Sequence, residues 1–337
     1  MNLDSARELK SDLVRTVLAG LPEALYRARA LAEAARRVEE VDPQPRMLAL
    51  GIARARKGDF RLAVRLQRRA LEDGPVVDAI RRRARGEVDV RYIGRVSRHA
   101  PRRSAPRWFQ ARQRPLLIGC SIGHYRITAG TLGAFVLLQR EGQVRVLSNN
   151  HVLADENRGR KGDAILQPGV YDGGTRPRDR VGGLDLFVRL KSRAANRVDA
   201  ALAALDKDVD YDPHTLKGLG ALAAAPDLPI EDVDLVDKLG RTTGRTTGRV
   251  SAIEVDNLIV AYEEGNLRFD GQVEIEGTAG PFSQGGDSGS LIVTSHARQG
   301  VALLFAGSDQ GGRDGQGLTF ANPLRDVLAA VKADLLT

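Results

Sequence analysis

The chain has 337 residues, enough for two domains or for one large domain with an extension. Its composition, 42% hydrophobic and 28% charged, excludes collagen-like and disordered chains and provides for a sizeable core. The formal net charge of +8 is uneven: residues 1–115 carry 27 Lys and Arg against 14 Asp and Glu, a net of +13, which leaves −5 for the remainder. One cysteine, Cys120, permits no internal disulfide. No run reaches the roughly 18 apolar residues of a membrane-spanning helix, and the first 30 residues lack an apolar signal region. A soluble, cytoplasmic protein without a membrane partner is expected.

Residues 1–45 read as a helical extension. Ser5 and Glu8 fit a capping box, and Leu9, Leu13 and Val17 recur at helical spacing until Gly20-Leu21-Pro22 interrupts them. Asp42-Pro43-Gln44-Pro45 closes this piece. Residues 46–97 read as a small β-β-α-β domain. Its strands are Met47–Arg54, Arg61–Gln67 and Val88–Val96, and its helix is Val76–Arg85. Residues 98–114 form an Arg- and Pro-rich linker. Between Arg81 and Arg114 twelve arginines face only Glu87 and Asp89. Such a stretch can neutralise phosphates, but basic runs are more often solvated linkers or faces, and nucleic acid is the less favoured partner. A further reading lays this arm against the acidic remainder of its own chain.

From Pro115 onward the texture is mainly β, with short apolar runs at Gly133–Leu138, Val144–Ser148, Leu184–Leu190, Leu258–Tyr262, Ser290–Thr294 and Val301–Ala306 separated by Gly-rich turns. Helical spacing returns in Pro323–Leu335.

The chemistry concentrates here. Ser288 lies in Gly285-Gly286-Asp287-Ser288-Gly289-Ser290, directly before an apolar run. A serine hydroxyl attacks only when a base takes its proton and backbone N–H groups meet the developing oxyanion. The flanking glycines allow a turn that points the N–H groups of Gly286 and Ser288 into one hole. Of five histidines, His151 sits where an apolar strand ends in small polar residues, Ser148-Asn149-Asn150. Asp199, among small and apolar residues, is costly to bury unless it is hydrogen-bonded, which an imidazole N–H would accomplish. Asp185 is the rival acid, with an outward-facing strand position as its plain reading, and Asp206–Asp212 reads as a solvated loop.

The order His151, Asp199, Ser288 is that of chymotrypsin. Over roughly Pro115 to Leu336 the chain resembles the trypsin-like serine protease superfamily. Within it, the chain looks most like intracellular bacterial trypsin-like proteins and plant narrow-leaf proteases. The motifs that carry the likeness are Ala129–Gly133, Leu147–Leu153, Gly240-Arg241-Thr242-Thr243-Gly244, Gly285–Ser290, Leu304–Ser308 and Phe320-Ala321-Asn322-Pro323.

The resemblance implies two six-stranded antiparallel barrels, about 115–235 and 236–337, with a C-terminal helix and the triad in the cleft between them. Ala306 and Gly307 would pair with the substrate backbone and line the primary pocket, together with Phe282. Phe282 stands where trypsin-type members carry an aspartate, so a small or apolar residue is expected before the scissile bond. In secreted relatives a freed N-terminus pairs with the aspartate before the nucleophile. This chain has no obvious activation site before Ile118, so Asp287 needs another partner.

The expected function is a serine endopeptidase acting on a protein or peptide, needing neither cofactor nor metal, and regulated through residues 1–114 by a partner or an intramolecular contact. The alternative is a protease-fold binding module that cleaves little.

Overall fold

The computed structural model describes residues 1–18, 47–97, 107–140, 142–224, 229–312 and 315–337. Two β-layers follow one another along the chain.

The C-terminal one closes on itself. Strands Leu235–Gly240, Gly244–Asp256, Gln272–Gly277, Thr319–Pro323, Gly300–Ser308 and Leu291–Thr294 pair antiparallel in that order, and the last returns to the first. Their apolar residues, among them Val236, Val250, Ile275, Ile292, Leu304 and Ala321, share one core cluster. The 13-residue strand Gly244–Asp256 shifts register near Ala252. Such bulges bend a strand, and its far half is thereby free to take a further neighbour.

The N-terminal layer is one eight-stranded ladder in the order Ala333–Leu335, Ala134–Leu138, Val144–Ser148, Ala201–Leu205, Arg180–Phe187, Ala164–Leu166, Ser121–His124, Gly130–Thr131. Gly130–Thr131 and Ala134–Leu138, near its two ends, are joined by Leu132-Gly133, so the sheet curls around Phe135, Leu147, Ile165 and Leu202. Its ladder is a half-barrel where a second closed barrel was expected. The terminal helix is shorter than its periodicity suggested. It spans Leu324–Val331, stops at Lys332 in the left-handed conformation (φ 54°), and hands the chain to strand Ala333–Leu335.

The expected β-β-α-β order is present, as Leu48–Arg56, Asp59–Leu66, helix Pro75–Arg83 and Val88–Tyr92, the last parallel to the second. Leu48–Arg56 also pairs with the bent half of Gly244–Asp256 (Ile52↔Ile253, Ala53↔Ala252), which makes this unit an extension of the barrel sheet. Helix Leu3–Leu13 covers it with Ala6, Lys10 and Leu13. Its N-cap is Asn2, whose side chain accepts from the Ser5 N–H, so the Ser5/Glu8 capping box does not form. The expected continuation of this helix to residue 40 lies outside the described residues, as does most of the linker, including His99.

Two pieces finish the barrel edge. Hairpin Leu258–Tyr262/Gly265–Phe269 stands beside it. Strand Val96–Ser97 fits between Leu258–Tyr262, to which it is parallel, and Gly300–Ser308, to which it is antiparallel. Among the described residues, no helix is long and apolar enough to cross a membrane.

Candidate active site

Strand Val144–Ser148 ends in a one-turn helix, Asn150–Leu153, which carries His151. Its antiparallel partner begins at Ala201, opposite Ser148, so Asp199, two residues earlier, comes beside that turn. The Asp199 carboxylate is wholly buried and fully engaged. Oδ1 accepts from the N–H groups of Asn150 (2.6 Å) and His151 (3.3 Å). Oδ2 meets His151 Nδ1 at 2.5 Å and accepts the Tyr262 hydroxyl at 2.7 Å. Asn149 donates to the Asp199 carbonyl, and Asn322 accepts its N–H. Burial works to raise the Asp199 pKa, but His151 and the other donors outweigh it and hold the carboxyl below its ordinary 3.8. With Nδ1 given to Asp199, Nε2 is the nitrogen left to accept a proton. It is buried and has no partner among the described residues.

Ser288 sits in a turn that needs glycine on both sides: Gly286 has φ +96° and Gly289 φ +92°. The turn is tied to the other layer. Thr131 donates its N–H to the Ser288 carbonyl (2.8 Å) and its hydroxyl to the Gly286 carbonyl (3.0 Å). The layers approach too closely for side chains there: a Cβ on Gly130 would strike Val152 and lie 3.0 Å from the Ser288 carbonyl, and one on Gly133 would strike the Gly289 carbonyl. Among the described residues, no acceptor takes the N–H of Gly286 or of Ser288. The Ser288 hydroxyl points at the Phe305 carbonyl, 3.4 Å away, so the link between hydroxyl and imidazole is open in this conformation.

Asp287 has the partner its sequence context demanded. Its carboxylate accepts from the N–H groups of Thr242 (2.8 Å), Thr243 (3.1 Å) and Gln284 (2.9 Å) and from the Thr243 hydroxyl (2.7 Å). Lys238 Nζ lies 3.3 Å away, and both charged side chains are completely buried. Burial lowers the Lys238 pKa, and Asp287 opposes that shift. A cation from the barrel wall is thus the other partner that Asp287 was expected to need.

The remaining candidates divide. Ala306 and Gly307 follow Phe305, whose carbonyl faces the Ser288 hydroxyl, on strand Gly300–Ser308. Phe282 is buried in the barrel cluster, its ring against Gly248 and 6.0 Å from Lys238 Nζ, and so is seated in the core. Asp185 is apart from the site, bound by Arg145 (2.6 Å) and Lys161 (2.7 Å). In the Asp206–Asp212 stretch, Asp206 pairs with Arg180 and Asp212 accepts from the N–H groups of His214 and Thr215. Sequence reasoning missed Tyr262, Lys238 and the amide roles of Asn149, Asn150 and Asn322. Asn322 lay within Phe320-Ala321-Asn322-Pro323, a motif of the likeness, whereas Lys238, beside Asp237 in strand Leu235–Gly240, gave no local signal.

No family model matches the chain, and no curated protein does. Solved structures do. Protease A of Thermobifida fusca matches at 18% identity over 66% of this chain and 98% of that one (TM-score 0.45). Cellulomonas bogoriensis chymotrypsin matches at 21% over 66% and 98% (TM-score 0.43), and a glutamic acid specific serine protease at 19% over 66% and 100% (TM-score 0.45).

Proposed function

We propose that the chain is a serine endopeptidase whose triad is His151, Asp199 and Ser288. The observation that carries this reading is the buried carboxylate of Asp199 on His151 Nδ1, which turns Nε2 to the other side of the ring without a partner among the described residues, beside a glycine turn with two uncommitted N–H groups. A rotation of the Ser288 side chain away from Phe305 would re-aim its hydroxyl for proton transfer. Ser288 Oγ then adds to the scissile carbonyl carbon as its proton passes to His151 Nε2. The oxyanion is received by the N–H groups of Gly286 and Ser288. Collapse breaks the C–N bond, the imidazolium protonates the leaving amine, and water releases the acyl group with His151 again as base. Cleavage after a small or apolar residue, and regulation through residues 1–114, belong to the same proposal.

A fluorophosphonate should label the wild type and not Ser288→Ala, and that variant should lose on the order of 10⁶ in peptide turnover, as in other triads. Equal labelling of both proteins overturns the reading. The open hydroxyl–imidazole link favours a second one, a protease-fold module that binds without cutting. Absence of labelling together with one partner retained equally by both proteins would establish that alternative.

A further inference from the structure

The strand Val96–Ser97 has a position that its length conceals. It is hydrogen-bonded on both edges, to Leu258–Tyr262 on one side (Val260↔Val96, Ala261↔Ser97) and to Gly300–Ser308 on the other (Ser308↔Val96, Gly307↔Ser97). Neighbouring strands stand about 4.8 Å apart, so the two flanking strands enclose a slot one strand wide, roughly 10 Å from edge to edge.

Both walls of that slot lead to the triad. Tyr262, the residue after Ala261, donates to Asp199, and Phe305, two residues before Gly307, accepts from Ser288. The polarity is that of a substrate: the N-to-C direction passes from Ser308 to Gly307, toward Phe305 and the nucleophile. Val96 is only 1% exposed and shares an apolar cluster with Leu258, Val260, Phe305 and Phe320. The segment before it is threaded closely, with Gly94 at φ +65° where a Cβ would strike Asp309.

We propose that the chain's own Val96–Ser97 occupies this slot as a substrate would, along the Ala306–Gly307 edge where the resemblance implies that the acyl side of an extended peptide pairs. The inference rests on the serine-peptidase reading and deepens it. The regulatory contact of the extension is a competing strand, and the slot accepts an aliphatic residue in the Val96 position. A tethered occupant has an effective concentration in the mM range, so free peptides compete poorly until the strand is displaced.

The test uses the full chain. Val96→Cys with Ser308→Cys puts two thiols on directly opposed residues. Cys120 is buried and its thiol is pushed up to about 12 by that burial, so oxidation is left to the new pair. Once oxidised, the strand cannot leave. Hydrolysis of a fluorogenic peptide mixture should fall at least tenfold and return on reduction, while a small fluorophosphonate, which needs no strand pairing, labels both forms. Equal turnover in the two forms overturns the inference.

Absence of labelling in every form, wild type included, instead overturns the hydrolase reading, and the slot is then judged by binding. A fluorescein-labelled peptide of the Tyr92–Ser97 sequence should bind Val96→Asp at least tenfold more tightly than the oxidised protein. Ser97→Pro replaces Val96→Asp if the latter loses its melting transition. Equal binding overturns the proposal.

Discussion

Tyr262 donates its hydroxyl to the same Asp199 oxygen that His151 Nδ1 engages, at 2.7 Å and 2.5 Å respectively. The tyrosine comes from the barrel-edge hairpin and the other two from the N-terminal half-barrel, so one carboxylate oxygen joins the two layers at the site. A hydrogen bond to a buried charge contributes roughly 1.5–3 kcal/mol. Tyr262→Phe should therefore lower kcat by about tenfold or more while leaving KM within about twofold, because the bond orients the imidazole and touches no substrate. Steady-state kinetics on one peptide decides it. An unchanged kcat would show that Asp199 is held well enough by its other donors.

The turn before Ser288 holds the buried Lys238–Asp287 pair. With Lys238→Met, Asp287 stays buried with its four hydrogen bonds and no cation, and breaking a buried pair costs about 3–5 kcal/mol. The expected outcome is a lower urea midpoint and a kcat reduced by about 10²–10³, the size seen when an oxyanion donor is lost. Adding Asp287→Asn removes the stranded charge, so the double variant should melt above Lys238→Met. If it does not, the pair is not what secures this turn.

Much of this site was legible in the chain, and the parts that were not share a cause. His151, Asp199 and Ser288 stand in contexts that are locally unusual: a polar end to an apolar strand, an acid among alanines, a serine among glycines. Tyr262 and Lys238 look like ordinary strand residues, and their roles arise only when the barrel closes and brings residues dozens of positions apart together. The tandem Gly-Arg-Thr-Thr repeat shows the same limit. Its two copies, Gly240–Thr243 and Gly244–Thr247, are plain in the chain. That its first copy grips Asp287 through Thr242 and Thr243, while the second sends Thr246 to the Phe282 carbonyl and Thr247 to Asp237, depends on tertiary placement. The half-barrel was hidden for a related reason, since strand patterns announce strands and not whether the ladder ends meet. Lys332 ends the last helix in a left-handed conformation and Ala333–Leu335 pairs with Ala134–Leu138, a tertiary contact that three residues of sequence do not announce against the helical period upstream.

The acid limb of stability should carry the signature of Asp199. Its carboxyl is held below 3.8 in the folded protein, although burial alone would raise it. As pH falls, the unfolded chain takes up that proton first. The group's contribution is thus fully present above about pH 4 and is lost as pH drops through the folded-state value. Asp199→Asn should flatten the dependence of the urea midpoint on pH between about 5 and 3 relative to wild type. Parallel curves would mean that other carboxylates dominate acid unfolding.

The N-terminal unit is fixed to the barrel by a charge pair with no access to water. Arg65 donates from Nε and Nη2 to the two Glu274 oxygens at 2.6 and 2.8 Å, and Nη2 also reaches Asp89 at 2.9 Å. Arg65 and Glu274 are both 0% exposed. Ser251 donates to the same glutamate, and Arg91 extends the network to Glu276. Forming such a pair yields little net stability because both charges are desolvated, but breaking it is expensive. Arg65→Met should cost about 3–5 kcal/mol in urea unfolding, and Arg65→Met with Glu274→Gln should recover most of that loss. Hydrogen exchange should locate the damage in Leu48–Arg56 and Asp59–Leu66, the strands that join the extension to the barrel. A loss below about 1 kcal/mol, or a double variant no more stable than the single one, would mean that strand pairing with Gly244–Asp256 holds the unit without the pair.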